Sequence, residues 1–336
     1  MLTVREGRHI TGECTLSMVD VIEGRTFDDG IAEAQTDWDP HGISSSWLGR
    51  LGFLPVHCDL FYIQIPYRCC VPKGLTGMLI SAKAISATTD VACLCRMAAD
   101  VQNLGWATGL AAAAAARLGG DVRGIDVQSL RDELMALGVL RSDDITRAKV
   151  AGTAEERVAR LAHGEEAALL DVAVLPREVA LPPLRMALDS ADSDQTSIAS
   201  ALAWFGDASG AECLRKTLAR LTFSEQDPYD DIHPRKEDNP RAGIVDDIDD
   251  YWRINQLLVL LGLIGDPSAI PHVVDVIERT WSGGEPVRNG TLYTAGRIDM
   301  QRVPHFDRLL SIAFCVERLA SPDLVAALEL LLDREL

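Results

Sequence analysis

Two stretches of this sequence, ALAWFGDASGAECLRKTL (201–218) and LLGLIGDPSAIPHVVDVI (260–277), follow one grammar. An apolar helix closes on Gly-Asp, a Ser follows two residues later, and a second apolar helix begins. Glycine ends a helix because it enters the left-handed conformation without steric cost. Asp or Ser then caps the next helix by accepting hydrogen bonds from its unpaired amides. A degenerate third copy, ERLASPDLVAALELLLD (317–333), keeps the Ser-Pro turn and the second helix but lacks the Gly-Asp. Helix pairs recurring at this scale bury their apolar faces by stacking on their neighbours, which is the plan of an α-solenoid. Two polar insertions, 222–250 and 282–304, separate the copies. Insertions of this length in a solenoid lie on one face, as functional loops or as variable surface.

Ahead of residue 150 the pattern differs. Residues 1–59 are mixed, with a helical turn expected at Ser17–Glu23, where Ser17 caps and Asp20 completes a capping box. Short β-branched and apolar runs bounded by Pro and Gly predict strands at Leu60–Ile65 and Gly77–Ile85, joined by the turn VPKGLTG. An irregular stretch follows to about Ala99. Asp100–Leu118 then predicts a long helix with Asp100 as N-cap and Gly119-Gly120 as its stop, and Val127–Leu137 a shorter one ending at Gly138. A chain of 336 residues suits two domains at about 150 residues each. The boundaries expected are 1–140 and 150–336.

Charge and cysteine usage exclude several classes. The chain carries 50 acidic against 32 basic residues, a net −18, so its surface repels phosphates, and neither nucleic acid nor an anionic membrane is expected as a partner. Eight scattered cysteines form no pair of Cys-x-x-Cys motifs and read as small buried hydrophobes in a reducing compartment, which places the chain in the cytoplasm. The opening MLTVREGRHITGECTL has no apolar signal core, and the longest apolar stretch, Leu104–Leu118, is too short to span a membrane. His233, His272 and His305 lack ligand spacing, and the acids between Asp230 and Asp250 lack a calcium-loop pattern, so no metal is expected. No Gly-x-Ser-x-Gly elbow or Cys/His nucleophile pair is present.

The stretch that carries chemistry runs from Tyr62 to Ala116: YIQIPYRCCVPKGLTGMLISAKAISATTD, then CRMAADVQNLGWATGLAAAAA. It resembles the C-terminal part of the flavin-binding domain in a family of FAD-dependent oxidoreductases. Members run Tyr-x-Ile-Pro-Tyr-Arg, Pro-Lys-Gly, a strand, Ile-Ser-Ala-Thr, an Arg and an alanine-rich Gly-x-Ala-x-Gly helix. Arg5, Arg8, Gly12, Asp20, Gly24, Arg25 and Phe27 also match the family's region just before it, and the helical tail is similar to HEAT-like repeats. The fold class expected is therefore mainly α with a small α/β part: an incomplete, Rossmann-like FAD-binding remnant followed by an α-α HEAT-like solenoid.

The resemblance implies FAD as cofactor, a small-molecule substrate, and hydride transfer between substrate and flavin. Arg68 and Arg96 become the catalytic candidates, since an arginine beside the flavin stabilises charge on the reduced ring. It further implies cofactor contacts at Ser86, Asp90, Gln102, Asn103, Leu104, Gly105 and Gly109, the last two sharing one helical face. Tyr67 is a weaker candidate, as proton donor or as packing. Four basic residues (Arg68, Lys73, Lys83, Arg96) face two acidic ones (Asp90, Asp100) between Leu60 and Ala116, so this segment is locally positive.

The sequence departs from the family pattern at Ala82, where a Gly is usual, at Thr89-Asp90, where His-Glu is frequent, and at Ala99, where a Pro is expected. It also contains no Gly-x-Gly-x-x-Gly turn for the pyrophosphate. An upstream N-terminal flavoprotein half is therefore expected as partner, with FAD not bound by this chain alone. A different class stays open: a non-catalytic scaffold in which a degenerate flavoprotein module accompanies a solenoid that binds a protein partner. Residues 141–336, with 21 basic and 34 acidic residues, would favour a basic one.

Overall fold

The computed structural model, mostly helical, describes residues 8–38, 46–54, 60–141, 152–165, 167–190, 195–221, 246–279 and 304–335. Two compact units emerge, Met1–Gly49 with Leu54–Ala151, and Arg50–Phe53 with Gly152–Leu336.

The first unit begins with α1 (Met18–Ile22), capped by the expected Ser17–Asp20 box, in which the Ser17 N–H donates to Asp20 Oδ2 at 2.8 Å. Strand β1 (Gly30–Thr36), the single turn α2 (Trp47–Arg50) and strand β2 (Phe61–Pro66) follow. The strands pair antiparallel, Thr36 opposite Phe61, Ala34 opposite Ile63 and Ala32 opposite Ile65, with a register shift between Gly30 and Ala32. Gly30 is required there, because a Cβ would fall 2.3 Å from the buried Gln64 side chain, whose Oε1 accepts the Phe27 N–H at 2.6 Å. Helices α3 (Thr89–Leu94), α4 (Ala98–Arg117) and α5 (Val127–Ala136) complete the unit. Helix α4 packs on β1, and Leu16, Ile31, Ile65, Leu94, Leu104 and Leu134 fill the core. From α5 the buried Arg131 donates to the Gly30 carbonyl.

Several sequence expectations are corrected. Gly77–Ile85 forms no strand. Gly77 (φ 68°) and Ala82 (φ 58°) sit in the left-handed region, which breaks an extended run, and a 3₁₀ turn occupies Ala82–Ala84. The stretch read as irregular contains α3. Helix α4 begins at Ala98 with Met97 as N-cap, so Asp100 lies inside the first turn, while Gly119 and Gly120 end the helix as expected, both with positive φ. Among the described residues the sheet is two antiparallel strands and not the parallel arrangement that a complete Rossmann-like domain builds.

In the second unit the chain runs through α6 (Ala154–Ala162), α7 (Ala168–Ala173), α8 (Arg177–Leu188), α9 (Gln195–Trp204), α10 (Ala211–Arg220), α11 (Asp246–Ile264), α12 (Ile270–Arg279), α13 (Pro304–Leu319) and α14 (Pro322–Glu335). The repeated turns have the expected chemistry. Gly206 (φ 69°) and Gly265 (φ 70°) end α9 and α11. Asp207 then accepts the Ser209 N–H at 2.9 Å, and Asp266 accepts the Ser268 N–H at 3.0 Å. The third copy makes the same left-handed turn with Ala320 (φ 47°) in the glycine position.

Each turn aspartate also pairs with an arginine of an earlier helix, Arg185 of α8 with Asp207 and Arg215 of α10 with Asp266. Helix α11 packs on α9 and α13, and α12 on α10 and α14, so the pairs follow one another in chain order. Gly210 permits the α9–α10 crossing, since a Cβ there would lie 2.6 Å from the Ala199 Cβ and 2.7 Å from its Cα. Most of both insertions lies outside the described residues. Their last residues, 246–250 and 304, belong to helices, and the acids Asp246, Asp247, Asp249 and Asp250 stand at the start of α11, where a helix dipole favours negative charge.

Candidate functional site

The two faces of α4 have different fates. Leu104, Ala107, Ala111 and Ala115 recur at helical spacing and are buried, and Thr108 joins them, its hydroxyl 2.9 Å from Ser81 Oγ and bonded to the Leu104 carbonyl at 2.8 Å. The opposite face is open. Gln102, Gly105, Trp106, Gly109 and Leu110 line a shallow groove, and a Cβ built on Gly105 or Gly109 would meet nothing within 4 Å. Packing among the described residues therefore does not demand glycine at either position. Trp106, on this face at 55% exposure, was not singled out from the sequence, although the Gly-Trp-Ala-Thr-Gly run contains it.

Of the sequence candidates, the structure brings together Gln102, Gly105 and Gly109. Asn103 is half-buried, and the Leu104 side chain belongs to the core and not to the groove. Ser86 is buried, its hydroxyl 2.8 Å from Thr15 Oγ1, its N–H bonded to the Cys69 carbonyl and its own carbonyl to the Leu16 N–H. Asp90, in the first turn of α3, accepts from the Ser46 hydroxyl; burial pushes its carboxyl above the usual range, and the Ser46 bond opposes that. Both side chains are thus engaged inside the fold.

Arg68 stands in the 3₁₀ turn Tyr67–Cys70 directly after β2 and is held by Asp29 through two guanidinium contacts, Nε–Oδ2 at 2.9 Å and Nη2–Oδ1 at 3.1 Å. The hydrogen bond to Asp29, and then its charge, raise the Arg68 pKa further. Asp29 was missed because it lies outside the Leu60–Ala116 window. It offsets part of the positive charge counted there. Arg96 is half-buried in the turn between α3 and α4, on a different element from Arg68.

Tyr67 is buried and donates to the Val122 carbonyl at 2.7 Å, and burial, with smaller charge effects, pushes its phenol up to about 12. Its side chain is thus engaged inside the fold. Arg123, also missed from the sequence, binds Glu13 at 2.6 Å and the carbonyls of Leu75 and Pro72 at 2.7 and 2.8 Å, and so fixes the Pro-Lys-Gly turn.

Chemically, this arrangement offers a shallow groove along α4. No group of three or more His, Cys, Asp or Glu among the described residues could hold a metal, and no helix among them is long and apolar enough to cross a membrane. Comparison with curated proteins found no match, nor did comparison with solved structures. Residues 1–134, nearly the whole span of the first unit, match the family model described as FAD dependent oxidoreductase, a family whose members bind FAD.

Proposed function

We propose that the first unit is the C-terminal portion of an FAD-dependent oxidoreductase that exchanges hydride between a small substrate and flavin in the cytoplasm, and that the second is a HEAT-like accessory domain. The observation that carries this reading is the family match over residues 1–134, joined to the bare face of α4 at Gln102, Gly105, Trp106 and Gly109. An open wall of this kind needs a second wall, which a nucleotide-binding half bearing the missing Gly-x-Gly-x-x-Gly turn would supply. In that assembly Arg68, oriented by Asp29, and Arg96 provide positive charge. FAD mixed with this chain alone and then dialysed should leave it colourless, whereas co-purification with the upstream nucleotide-binding half should give a yellow complex. A complex that forms and stays colourless overturns the reading.

The second reading, a non-catalytic scaffold with a degenerate flavoprotein module, draws on the internal engagement of Ser86 and Asp90. It gains if residues 152–336 alone capture a protein partner while the whole assembly takes up no flavin.

A further inference from the structure

Helix α8 turns Ala180, Leu181 and Leu184 into the core of the helical unit, where it packs on α6 and α9. Its outer side is apolar as well. Val179 is 44% exposed, and Met186, seven residues on and so on the same face, is 77% exposed, more than any other large hydrophobic among the described residues. Pro182 is exposed between them. Pro182 and Pro183 stand inside the helix and carry no N–H, so the carbonyls of Glu178 and Val179 have no donor four residues further on. Both of those residues are exposed, which leaves two neighbouring acceptors beside the apolar stripe. The charge around the stripe is one-sided. Glu178 and Asp189 are exposed near its two ends, whereas Arg185 is paired with Asp207 and Arg177 donates through Nε to the Phe205 carbonyl at 2.8 Å.

We propose that the outer face of α8 docks a basic amphipathic helix of a partner protein. Its apolar residues lie on Val179, Pro182 and Met186, and its Lys or Arg side chains donate to the two freed carbonyls and to the carboxylates of Glu178 and Asp189. An apolar stripe with an acidic, acceptor-rich rim is the complement of such a helix in both shape and charge. A second copy of this chain fits less well, because two chains of net charge −18 repel each other. From Val179 to Met186 the stripe runs about 10 Å along the helix axis. The contact is therefore small, and the association is weak and transient. The proposal concerns the helical unit alone and stands whether or not the first unit takes up flavin.

The test titrates the full chain into a fluorescently labelled amphipathic helix of leucine and lysine, about four turns long, and repeats the titration with a peptide of the same composition in scrambled order. The amphipathic peptide should bind about tenfold tighter than the scrambled one and should shield Met186 from hydroxyl-radical oxidation. A Val179→Ala, Met186→Ala double variant, altered only at exposed positions, should lose about tenfold in affinity. Glu178→Gln with Asp189→Asn should weaken binding and flatten its salt dependence. Equal binding of the two peptides, Met186 as readily oxidised with peptide as without, or an unchanged affinity in the double variant overturns the proposal. So does Met186 found shielded before any peptide is added; loss of that shielding on dilution would mark a second copy as its cover.

Discussion

In the first unit, the bonds that close the fold join residues far apart in the chain. Arg123 reaches Glu13 across 110 residues, Arg131 reaches Gly30 across 101, and Tyr67 reaches Val122 across 55. In the helical unit the turns are built from neighbours, Ser209 on Asp207 and Ser268 on Asp266, and the two arginine–aspartate pairs span 22 and 51 residues. The difference separates two ways of specifying structure. Local capping rules repeat along a sequence and announce themselves, whereas distant pairings exist only after the chain has closed its loops, and they make such a unit slower to fold.

That contrast can be broken most forcefully at two glycines. Gly210→Ala drives a Cβ into the Ala199 backbone and should destabilise the helical unit by about 3 kcal/mol, because backbone cannot step aside. Gly30→Ala instead displaces Gln64, leaving the Phe27 N–H without its acceptor, and should cost the first unit about 1–3 kcal/mol. Calorimetry should show each substitution lowering one transition and sparing the other; both transitions moving together would erase the distinction drawn here.

A smaller effect, about 1 kcal/mol, is expected for Asp207→Ala, which removes a cap. Arg185 is 56% exposed, so its ion pair adds little. Burial pushes the Asp207 carboxyl up, but bonds from Ser209 and Arg185 outweigh it and hold the group below its ordinary value. Its contribution is therefore present above the unfolded-state pKa and lost as pH falls through the folded one. Thermal melts of the two proteins should differ at pH 7 and converge below about pH 4. Smallest of all is Ala320→Gly. Alanine at φ 47° is strained where Gly206 and Gly265 are not, so glycine should stabilise the last helix pair by about 0.5 kcal/mol in denaturant melts.

What could be read from the sequence follows the same division. The Ser17–Asp20 box, the Gly119-Gly120 stop and the Gly-Asp turns were legible because each is decided within a few residues. Strand β1 was not. Its sequence, GIAEAQT, is rich in helix formers, and what makes it a strand is pairing with β2 under α4. Gly77–Ile85 erred the other way, its apolar content suggesting a strand that two left-handed residues forbid. At the candidate site, the four-residue spacing correctly put Gly105 and Gly109 on one face, while the burial of Leu104 on the other depends on where β1 lies. Asp29, Thr15 and Ser46, which engage Arg68, Ser86 and Asp90, come from segments that spacing within Tyr62–Ala116 cannot reveal.

The arginine–aspartate pairs of the helical unit have a direction. Arg185 precedes Asp207, and Arg215 precedes Asp266. As the chain leaves a ribosome, each turn aspartate therefore emerges with its cation already made. Shortening the protein from its C-terminus would leave every remaining turn aspartate with its arginine, whereas shortening the helical unit from its front would strand the first aspartate it exposes.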